Sequence, residues 1–285
     1  MRATILVLAM AAVSALAAPA SELERARELY QHTDYDGALR VLSGLPDKSA
    51  EAQALAGRCY YMKGDPKKAS EALQKAVSLS PNDSSYRMWL GRAWGRRAET
   101  SSFMTAPGYA SKAREAFEKS VELDPRNSEA MSDLFEYYLD APGFLGGGLD
   151  KAAALATKMA ALDPAEGAWA QARLAEKRKQ FAAAEQQLRR AAELAPRQVG
   201  RVIDLAKFLA RNGRYQESDQ TFQRAQTMAP DSPKLMFARA STYIASKRNL
   251  DTARELLKRY LAAPLTPDDP PRAEAERLLR EAANS

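Results

Sequence analysis

Alanine- and leucine-rich segments that each end in a proline recur along this 285-residue chain, and their spacing constrains the fold more than any other feature. Successive closing prolines are separated by 35, 44, 39, 32, 34 and 34 residues, and they are Pro46, Pro81, Pro125, Pro164, Pro196, Pro230 and Pro264. A repeated period in this range indicates a solenoid of helical hairpins.

The unit at residues 51–81 shows the internal pattern most clearly, because two segments with helical periodicity are separated by a short break. Small residues such as Gly57 on the first segment let the two helix backbones approach, and large ones such as Leu73 on the second fill the remaining space. Asp65 is predicted to cap the second helix, with Pro66 in its first turn, where a missing N–H does no harm.

These residues resemble the tetratricopeptide repeat, in which small residues occupy one position of each helix. The first-helix positions are Ala26, Gly57, Gly91, Ala172, Ala206 and Ala240, and the second-helix positions are Ala38, Ala69, Ala113, Ala152 and Ala184. The resemblance implies an all-α fold, a right-handed α-α solenoid of about seven hairpins. It also implies a concave groove lined by the first helix of each hairpin.

The hairpins are predicted at residues 21–46, 51–81, 84–125, 128–164, 166–196, 199–230 and 233–264, followed by a capping helix at 271–284 that covers the last hairpin. Phe135 stands where the fourth unit should have a small residue, and Ser218 replaces alanine in the sixth. These departures leave the unit boundaries open more than the fold.

The first 20 residues have the composition of a secretory signal peptide, with Arg2 followed by an apolar run at residues 5–13 and small residues after it. Cleavage is expected in the small-residue pattern at 15–17 or in the one at 18–20, and retention as an anchor is the alternative. The mature chain has no other apolar run that could span a bilayer. We therefore expect an exported protein of the bacterial envelope type, either periplasmic or secreted.

Cys59 is the only cysteine and His32 the only histidine, so the chain offers no intramolecular disulfide and no set of ligands for a zinc site. His32 is expected to be solvated at the end of the first helix. No motif for catalysis, a cofactor or a metal is present, and the chain is predicted not to be an enzyme. A formal charge of +6 favours anionic partners in general, but nothing resembles a nucleic-acid-binding arm.

The resemblance places a basic residue at the same groove position of five units, with further basic and apolar side chains around it. The predicted groove residues are Arg27, Arg58, Arg92, Arg173 and Lys207, with Arg96 and Arg211, and the apolar Tyr61, Met62, Met88, Trp169 and Phe237. A ladder of guanidinium groups would suit an acidic protein or peptide partner. The alternative is that these are solvated side chains paired with neighbouring glutamates.

The two long proline separations predict lengthened turns between the helices of the third and fourth hairpins, and both contain an Ala-Pro-Gly-aromatic sequence. The candidate residues are Pro107, Gly108, Tyr109, Pro142, Gly143, Phe144, Gly146, Gly147, Gly148 and Lys151. Because equivalent turns lie side by side on one edge of a solenoid, these two are expected to be neighbours and to mark a binding face. Tyr109 and Phe144 either pack against each other, which is the favoured expectation, or offer an apolar contact to a ligand.

The glycine-rich segment at residues 141–152 does not fit a phosphate-binding loop, since Leu149 stands where lysine is required and no strand precedes it. Free N–H groups of its glycines, beside Lys151, could still meet an anion. Asp150 is expected to cap the helix that follows.

Two functions remain open at this point. One is a scaffold that binds a protein partner through the groove and the long turns; the other is a solute- or lipid-binding repeat protein that accompanies a periplasmic transporter. A solute binder needs an enclosed apolar cavity, whereas a scaffold needs an open groove. The oligomeric state is left open.

Overall fold

The computed structural model describes residues 21–46 and 48–283, and within them the regular structure is entirely helical. This part of the chain forms fifteen α-helices and a 3-10 helix at Gly143–Leu145. The helices are α1 (Glu22–Gln31), α2 (Tyr35–Gly44), α3 (Ala50–Met62), α4 (Pro66–Leu79), α5 (Ser84–Thr100), α6 (Ala106–Leu123), α7 (Ser128–Asp140), α8 (Leu149–Leu162), α9 (Pro164–Lys177), α10 (Phe181–Leu194), α11 (Val199–Arg211), α12 (Tyr215–Met228), α13 (Pro233–Ala245), α14 (Leu250–Ala262) and α15 (Arg272–Ala283).

Helices α1 to α14 pair consecutively into seven hairpins, and α15 packs on α14 and α13 at the end of the stack. The predicted fold class, an α-α solenoid with a C-terminal capping helix, is confirmed. The predicted signal peptide and its two candidate cleavage sites lie outside the described residues. Across 21–46 and 48–283, no helix combines the length and the hydropathy that a membrane span requires.

Polar residues begin many of these helices, and the cap predicted at Asp65 is confirmed. The Asp65 carboxylate accepts a hydrogen bond from the backbone N–H of Lys68, and Pro66 occupies the first turn of α4. Asp83 and Asn127 cap α5 and α7 in the same way. Each side-chain cap satisfies a backbone donor that the helix leaves unpaired, and contributes about 1 kcal/mol.

The small positions of the repeat are where paired helices come closest. A Cβ atom added at Gly57 would lie 2.5 Å from Cγ of Leu73, and one added at Gly91 would lie 2.5 Å from the ring of Phe117. Leu73 is fully buried by this contact. The expectation that a small residue on the first helix receives a large one from the second is therefore confirmed in the second and third hairpins.

The first helices of successive hairpins form an inner layer. Contacts join α1 to α3, α3 to α5, α5 to α7, α7 to α9 and α11 to α13, while the second helices make no comparable contacts with one another. The solenoid therefore curves towards its first helices. The surface that they present to the interior of the curve is called the inner face below.

The extra residues of the third hairpin lengthen its two helices, whereas the prediction placed them in the turn. α5 has 17 residues and α6 has 18, compared with 13 in α3 and 14 in α4. Residues 106–109, expected in a turn, form the first turn of α6, and the connection itself is residues 101–105. Proline in the first helical turn is compatible with a helix start, so Pro107 does not force a loop.

Candidate functional site: the inner face of the solenoid

Ion pairs cross the inner face from one hairpin to the next. Arg92 of α5 donates to two carboxylates of α7, with Nε 2.6 Å from Asp133 Oδ2 and Nη2 3.0 Å from Glu129 Oε2. Arg173 of α9 donates two hydrogen bonds to the carboxylate of Glu136 on α7, with lengths of 3.0 and 2.8 Å. These two arginines are thus held by acids that the sequence prediction of a basic ladder did not include.

The same arrangement repeats along the layer. The further inter-hairpin pairs are Arg27 with Glu51, Lys177 with Asp140, Arg201 with Glu166, and Arg211 with Glu176. Arg96 pairs within its own helix with Glu99. Most of the predicted ladder is therefore balanced by acids on the same face. Each exposed pair adds about 0–1 kcal/mol, and together they fix the register between hairpins.

Electrostatic effects on pKa values agree with this pairing. The hydrogen bonds that Arg173 donates to Glu136 raise the pKa of Arg173 and outweigh the opposing effect of burial. Burial raises the pKa of Asp133, while the charge of Arg92 lowers it. The hydrogen bonds to Asp133 and Glu136 thus hold both arginines in contacts between inner helices rather than leaving them free for a partner.

Arg58 and Lys207 are the exceptions among the five equivalent basic residues. Arg58 donates through Nη2 to Ser85 Oγ at 2.8 Å, and its Nε is buried without a hydrogen-bond partner. Lys207 lines an open cleft of about 390 Å3 between the sixth and seventh hairpins, beside Arg211 and Ser241. Neither forms an ion pair within the part of the chain that the structure describes.

Several of these cations lie over aromatic rings. The ring of Trp89 lies between the guanidinium groups of Arg58 and Arg92, whose carbon atoms are 5.2 and 4.8 Å from its centroid. Tyr61 meets the same ring edge-on at 5.5 Å. Such stacking holds long basic side chains in defined positions and adds about 0.5–2 kcal/mol per contact. Trp89 was not among the predicted groove residues.

The two Ala-Pro-Gly-aromatic sequences place their aromatic rings in opposite environments. Tyr109 stacks on Trp94 with centroids 5.4 Å apart, and Arg97 Nη2 donates to its hydroxyl at 2.7 Å. Phe144 is 82% exposed. The favoured expectation that Tyr109 and Phe144 pack against each other is therefore wrong, because Trp94 already covers the tyrosine ring.

The glycine turn of the fourth hairpin uses its own backbone donors. The N–H groups of Gly146, Gly147 and Gly148 donate to the carbonyls of Gly143, Pro142 and Tyr138 at 2.9, 3.2 and 2.8 Å. Lys151 Nζ donates to the Gly146 carbonyl oxygen at 2.9 Å.

This turn does not match two of the expectations. The expectation of free N–H groups for an anion is wrong, since the turn closes on itself. Asp150 does not cap α8 either, because the helix begins one residue earlier, at Leu149, behind Gly148.

Family models agree with this architecture at two places along the chain. Residues 50–83, which hold α3 and α4, match one tetratricopeptide repeat model, and residues 203–270 match another. The chain carries tetratricopeptide repeats (TPRs). The sequence has no significant match among curated proteins.

Solved structures of bacterial TPR proteins share the fold. One from Parabacteroides merdae is 14% identical with a TM-score of 0.58, and the alignment covers 92% of this chain and 98% of that chain. A thermophilic TPR protein of Thermus thermophilus is 23% identical with a TM-score of 0.53, covering 66% and 97% respectively. At these identities the likeness shows the fold alone.

Among these repeats, the predicted apolar groove residues divide into half-buried and buried ones. Trp169 is half-buried, packs on Phe135 at 5.7 Å and lies beneath Arg201. Phe237 is half-buried against Tyr260. Met88 retains only 3% exposure and belongs to the core, as Met62 largely does at 8%. The placement of Met88 on the groove surface is therefore wrong.

The acids of the inner face could have been found from the repeat. Glu51, Glu129 and Glu166 stand at one equivalent position near the start of α3, α7 and α9, next to a basic residue of a neighbouring hairpin. A comparison of the groove positions of neighbouring hairpins would have matched these acids with their basic partners. Trp89 had no comparable signal, because its position is not a groove position of the TPR pattern.

The single histidine takes the place expected for it, and the single cysteine lies in the core. Cys59 is fully buried, and burial raises the pKa of its thiol to about 12, so the sulfur stays protonated at neutral pH. His32 ends α1 and is exposed. Within the described residues, no three His, Cys, Asp or Glu side chains converge on a possible metal site.

Proposed function

We propose that this protein is an exported TPR scaffold that binds a protein partner through its inner face, assisted by the turns of the third and fourth hairpins. The observation that carries the proposal is that Arg58 and Lys207 lack a carboxylate partner among the described residues, whereas the other predicted basic groove residues are paired. An acidic partner segment would supply the missing carboxylates. Trp89 beside Arg58 would add apolar area of the kind that dominates protein interfaces.

The turns supply a second set of contacts. Phe103 and Met104, in the connection of the third hairpin, are 87% and 78% exposed, and Phe144 in the next turn is 82% exposed. Three large apolar side chains at the tips of neighbouring turns have no role in the core. They would serve as anchors for a partner that reaches over the edge of the solenoid.

Export is supported by the composition of residues 1–20, with a positive residue before an apolar run. Cell fractionation and N-terminal sequencing of the mature protein test it. Cleavage after residue 17 or 20 and recovery outside the cytoplasm are expected. A cytoplasmic protein that begins at Met1 would contradict export while leaving the inner-face proposal standing.

Partner capture from the cell envelope of the source organism tests the inner face. The double variant Arg58→Glu and Lys207→Glu should lose the partner, because the added acids repel an acidic segment. The matched control is Arg197→Glu with Arg224→Glu, which changes the net charge equally at two exposed arginines outside the inner layer. Equal capture by both variants would contradict the proposal. Arg92 and Arg173 are less suitable, since reversing them also breaks ion pairs between hairpins.

The solute-binding alternative has weaker support in the described residues. Two of the largest described clefts, of about 420 and 390 Å3, are open to solvent and include charged side chains such as Glu166 and Lys207. Open, charged clefts are suited to a peptide chain more than to an enclosed apolar solute.

A further inference from the structure

The C-terminal helix of the solenoid faces the second and third hairpins across one cleft. Helix α15 contributes Glu274, Arg277 and Arg280 to its lining, while α3 and α5 contribute Tyr61 and Arg96. The cleft has a volume of about 390 Å3, within the range of ligand sites. It is called the closure cleft, because it exists only where the last helix curls back to the second and third hairpins.

Charged groups on the two sides of this cleft act on each other's pKa values, which agrees with their closeness. The pKa of Glu274 on α15 is lowered mainly by its hydrogen bond to Arg277, and the charge of Arg96 on α5 adds to that effect. In the first hairpin, burial raises the pKa of Tyr35, and the charges of Arg272 and Asp269 also act on it. The C-terminal segment thus lies within electrostatic range of the first three hairpins, although the close backbone contacts of α15 are mainly with α13 and α14.

The charge in the closure cleft is unbalanced. Three arginines and one glutamate are the charged residues that line it. Arg280 forms no hydrogen bond or ion pair with any described residue. Arg96 pairs with Glu99 at 2.8 Å, but both side chains are more than half exposed, so the pair holds Arg96 only weakly. An incoming carboxylate would therefore meet an unpaired guanidinium on one wall and a weakly held one on the other.

The walls beside these charges are apolar. The Tyr61 ring, fixed edge-on against Trp89, forms one side together with Pro66, and Pro271 and Ala273 precede the arginines on the other. A ligand that combines a carboxylate with an apolar body matches this lining. A bare inorganic anion would leave the apolar half of the cleft unused.

We propose that the closure cleft binds an acidic peptide segment of the partner, with a carboxylate between Arg96 and Arg280 and a neighbouring apolar side chain against Tyr61. The segment bridges α15 to the second and third hairpins and thereby holds the C-terminal helix against them. This assignment rests on the proposed scaffold function and names the part of the partner that the cleft takes. It adds α15 to the binding surface, which the groove pattern of a TPR does not include.

Calorimetric titration with the blocked tetrapeptide acetyl-Leu-Glu-Glu-Leu-amide tests the site. Wild type should bind it saturably with a Kd below about 1 mM, and the affinity should fall as salt rises. Arg280→Glu and Arg96→Gln, one from each wall, should each weaken binding about tenfold. Arg259→Glu, at an exposed arginine of α14 that lines no described cleft, is the matched control and should leave Kd within about twofold of wild type.

Titrations with two further ligands decide which class of ligand the cleft takes. The peptide with both glutamates replaced by glutamine should not bind, and glutarate, a small dicarboxylate without an apolar body, should bind at least tenfold more weakly than the tetrapeptide. Peptide binding should also slow amide hydrogen exchange in α15, because the bridge holds that helix against the hairpins.

The proposal is overturned if the tetrapeptide does not bind, if Arg280→Glu binds it like wild type, or if the glutamine peptide binds equally. Tighter binding of glutarate than of the tetrapeptide would replace the peptide with a small organic acid. These outcomes are separable from the scaffold proposal. Loss of envelope capture in the Arg58 and Lys207 variant, together with unchanged peptide binding in Arg280→Glu, would leave the scaffold standing and remove the closure cleft.

Discussion

The third and fourth hairpins contain the same Ala-Pro-Gly-aromatic sequence, and they use it in opposite ways. At residues 106–109 it starts a helix, and Tyr109 turns inwards to stack on Trp94 at 5.4 Å. At residues 141–144 it leads through a 3-10 helix into a glycine turn, and Phe144 points into solvent. A shared Ala-Pro-Gly-aromatic sequence therefore does not determine whether its aromatic ring is packed or exposed at this edge of the solenoid.

The residues that come after each of the two sequences explain the difference. After Tyr109 come alanine, serine and lysine, which continue the helix. After Leu145 comes Gly146, whose φ of 87° lies in the left-handed region that ends helical structure and favours glycine. The third hairpin also offers Trp94 and Arg97 on α5 as partners for the incoming ring.

The largest effect should come from Gly147→Ala. A Cβ atom there would lie 2.6 Å from the carbonyl carbon of Ala141 and closer still to its oxygen, and backbone atoms cannot move aside. We expect the free energy of unfolding to fall by about 3 kcal/mol, measured by chemical denaturation. Gly143→Ala is the control, because an added Cβ meets nothing within 4 Å, and it should change stability by less than about 0.5 kcal/mol. Equal effects of the two changes would mean that the turn is not packed as described.

The next largest effect should come from removing the two aromatic rings, because their removal should lower the stability of the protein by different amounts. Tyr109→Ala should lower the free energy of unfolding by about 2 kcal/mol, since it removes the stack on Trp94 and the hydroxyl that accepts from Arg97. Phe144→Ala should change it by less than about 0.5 kcal/mol, because the ring is already in solvent. Thermal or urea unfolding of both variants measures the contrast. A destabilised Phe144→Ala would show that the ring is packed, and the contrast between the two hairpins would disappear.

The glycine turn should also show a dependence of its stability on alkaline pH. Tyr137 donates from its hydroxyl to the Leu145 carbonyl oxygen at 2.9 Å, and burial raises the pKa of its hydroxyl. Tyr137→Phe should cost about 1 kcal/mol at neutral pH. Because the pKa in the folded state lies above that in the unfolded chain, the contribution is complete below about pH 10 and is lost as the pH rises through the folded value.

Unfolding of wild type and Tyr137→Phe between neutral and alkaline pH tests this. The stability difference between the two proteins should shrink above about pH 10. A difference that grows with pH would reverse the sign and contradict the hydrogen bond from Tyr137 to the turn.

The smallest effect is expected from Lys151→Met. Its ammonium group donates to the Gly146 carbonyl and lies 5.3 Å from the centroid of Tyr138, but the side chain is exposed, so the loss should be about 0.5 kcal/mol. Lys158→Met, at an exposed lysine of the same helix with no described partner, should be neutral. Indistinguishable melting curves for the two variants would show that Lys151 does not stabilise the turn.

The solenoid was predictable because its signals are local and repeated. Small residues such as Gly57 and Gly91 mark close helix crossings, and Asp65 with Pro66 marks a helix start. The signals that predict each hairpin therefore lie within its own sequence. The candidate site was predictable only in part. Arg58 and Lys207 stay predictions as partner-binding residues. The acids that pair with Arg92 and Arg173 come from neighbouring hairpins, and the sequence analysis foresaw such pairing only as a general alternative.

A stack of helical hairpins could be inferred from the amino-acid sequence, because the period, the small residues and the caps act within about 40 residues of one another. The folded structure was needed to show which cations are free, since a guanidinium that looks unpaired in one repeat meets a carboxylate from the next. It was also needed to show that α15 returns to face α3 and α5. That closure depends on the small rotation at each hairpin interface accumulating over the whole solenoid, and no single stretch of sequence encodes it.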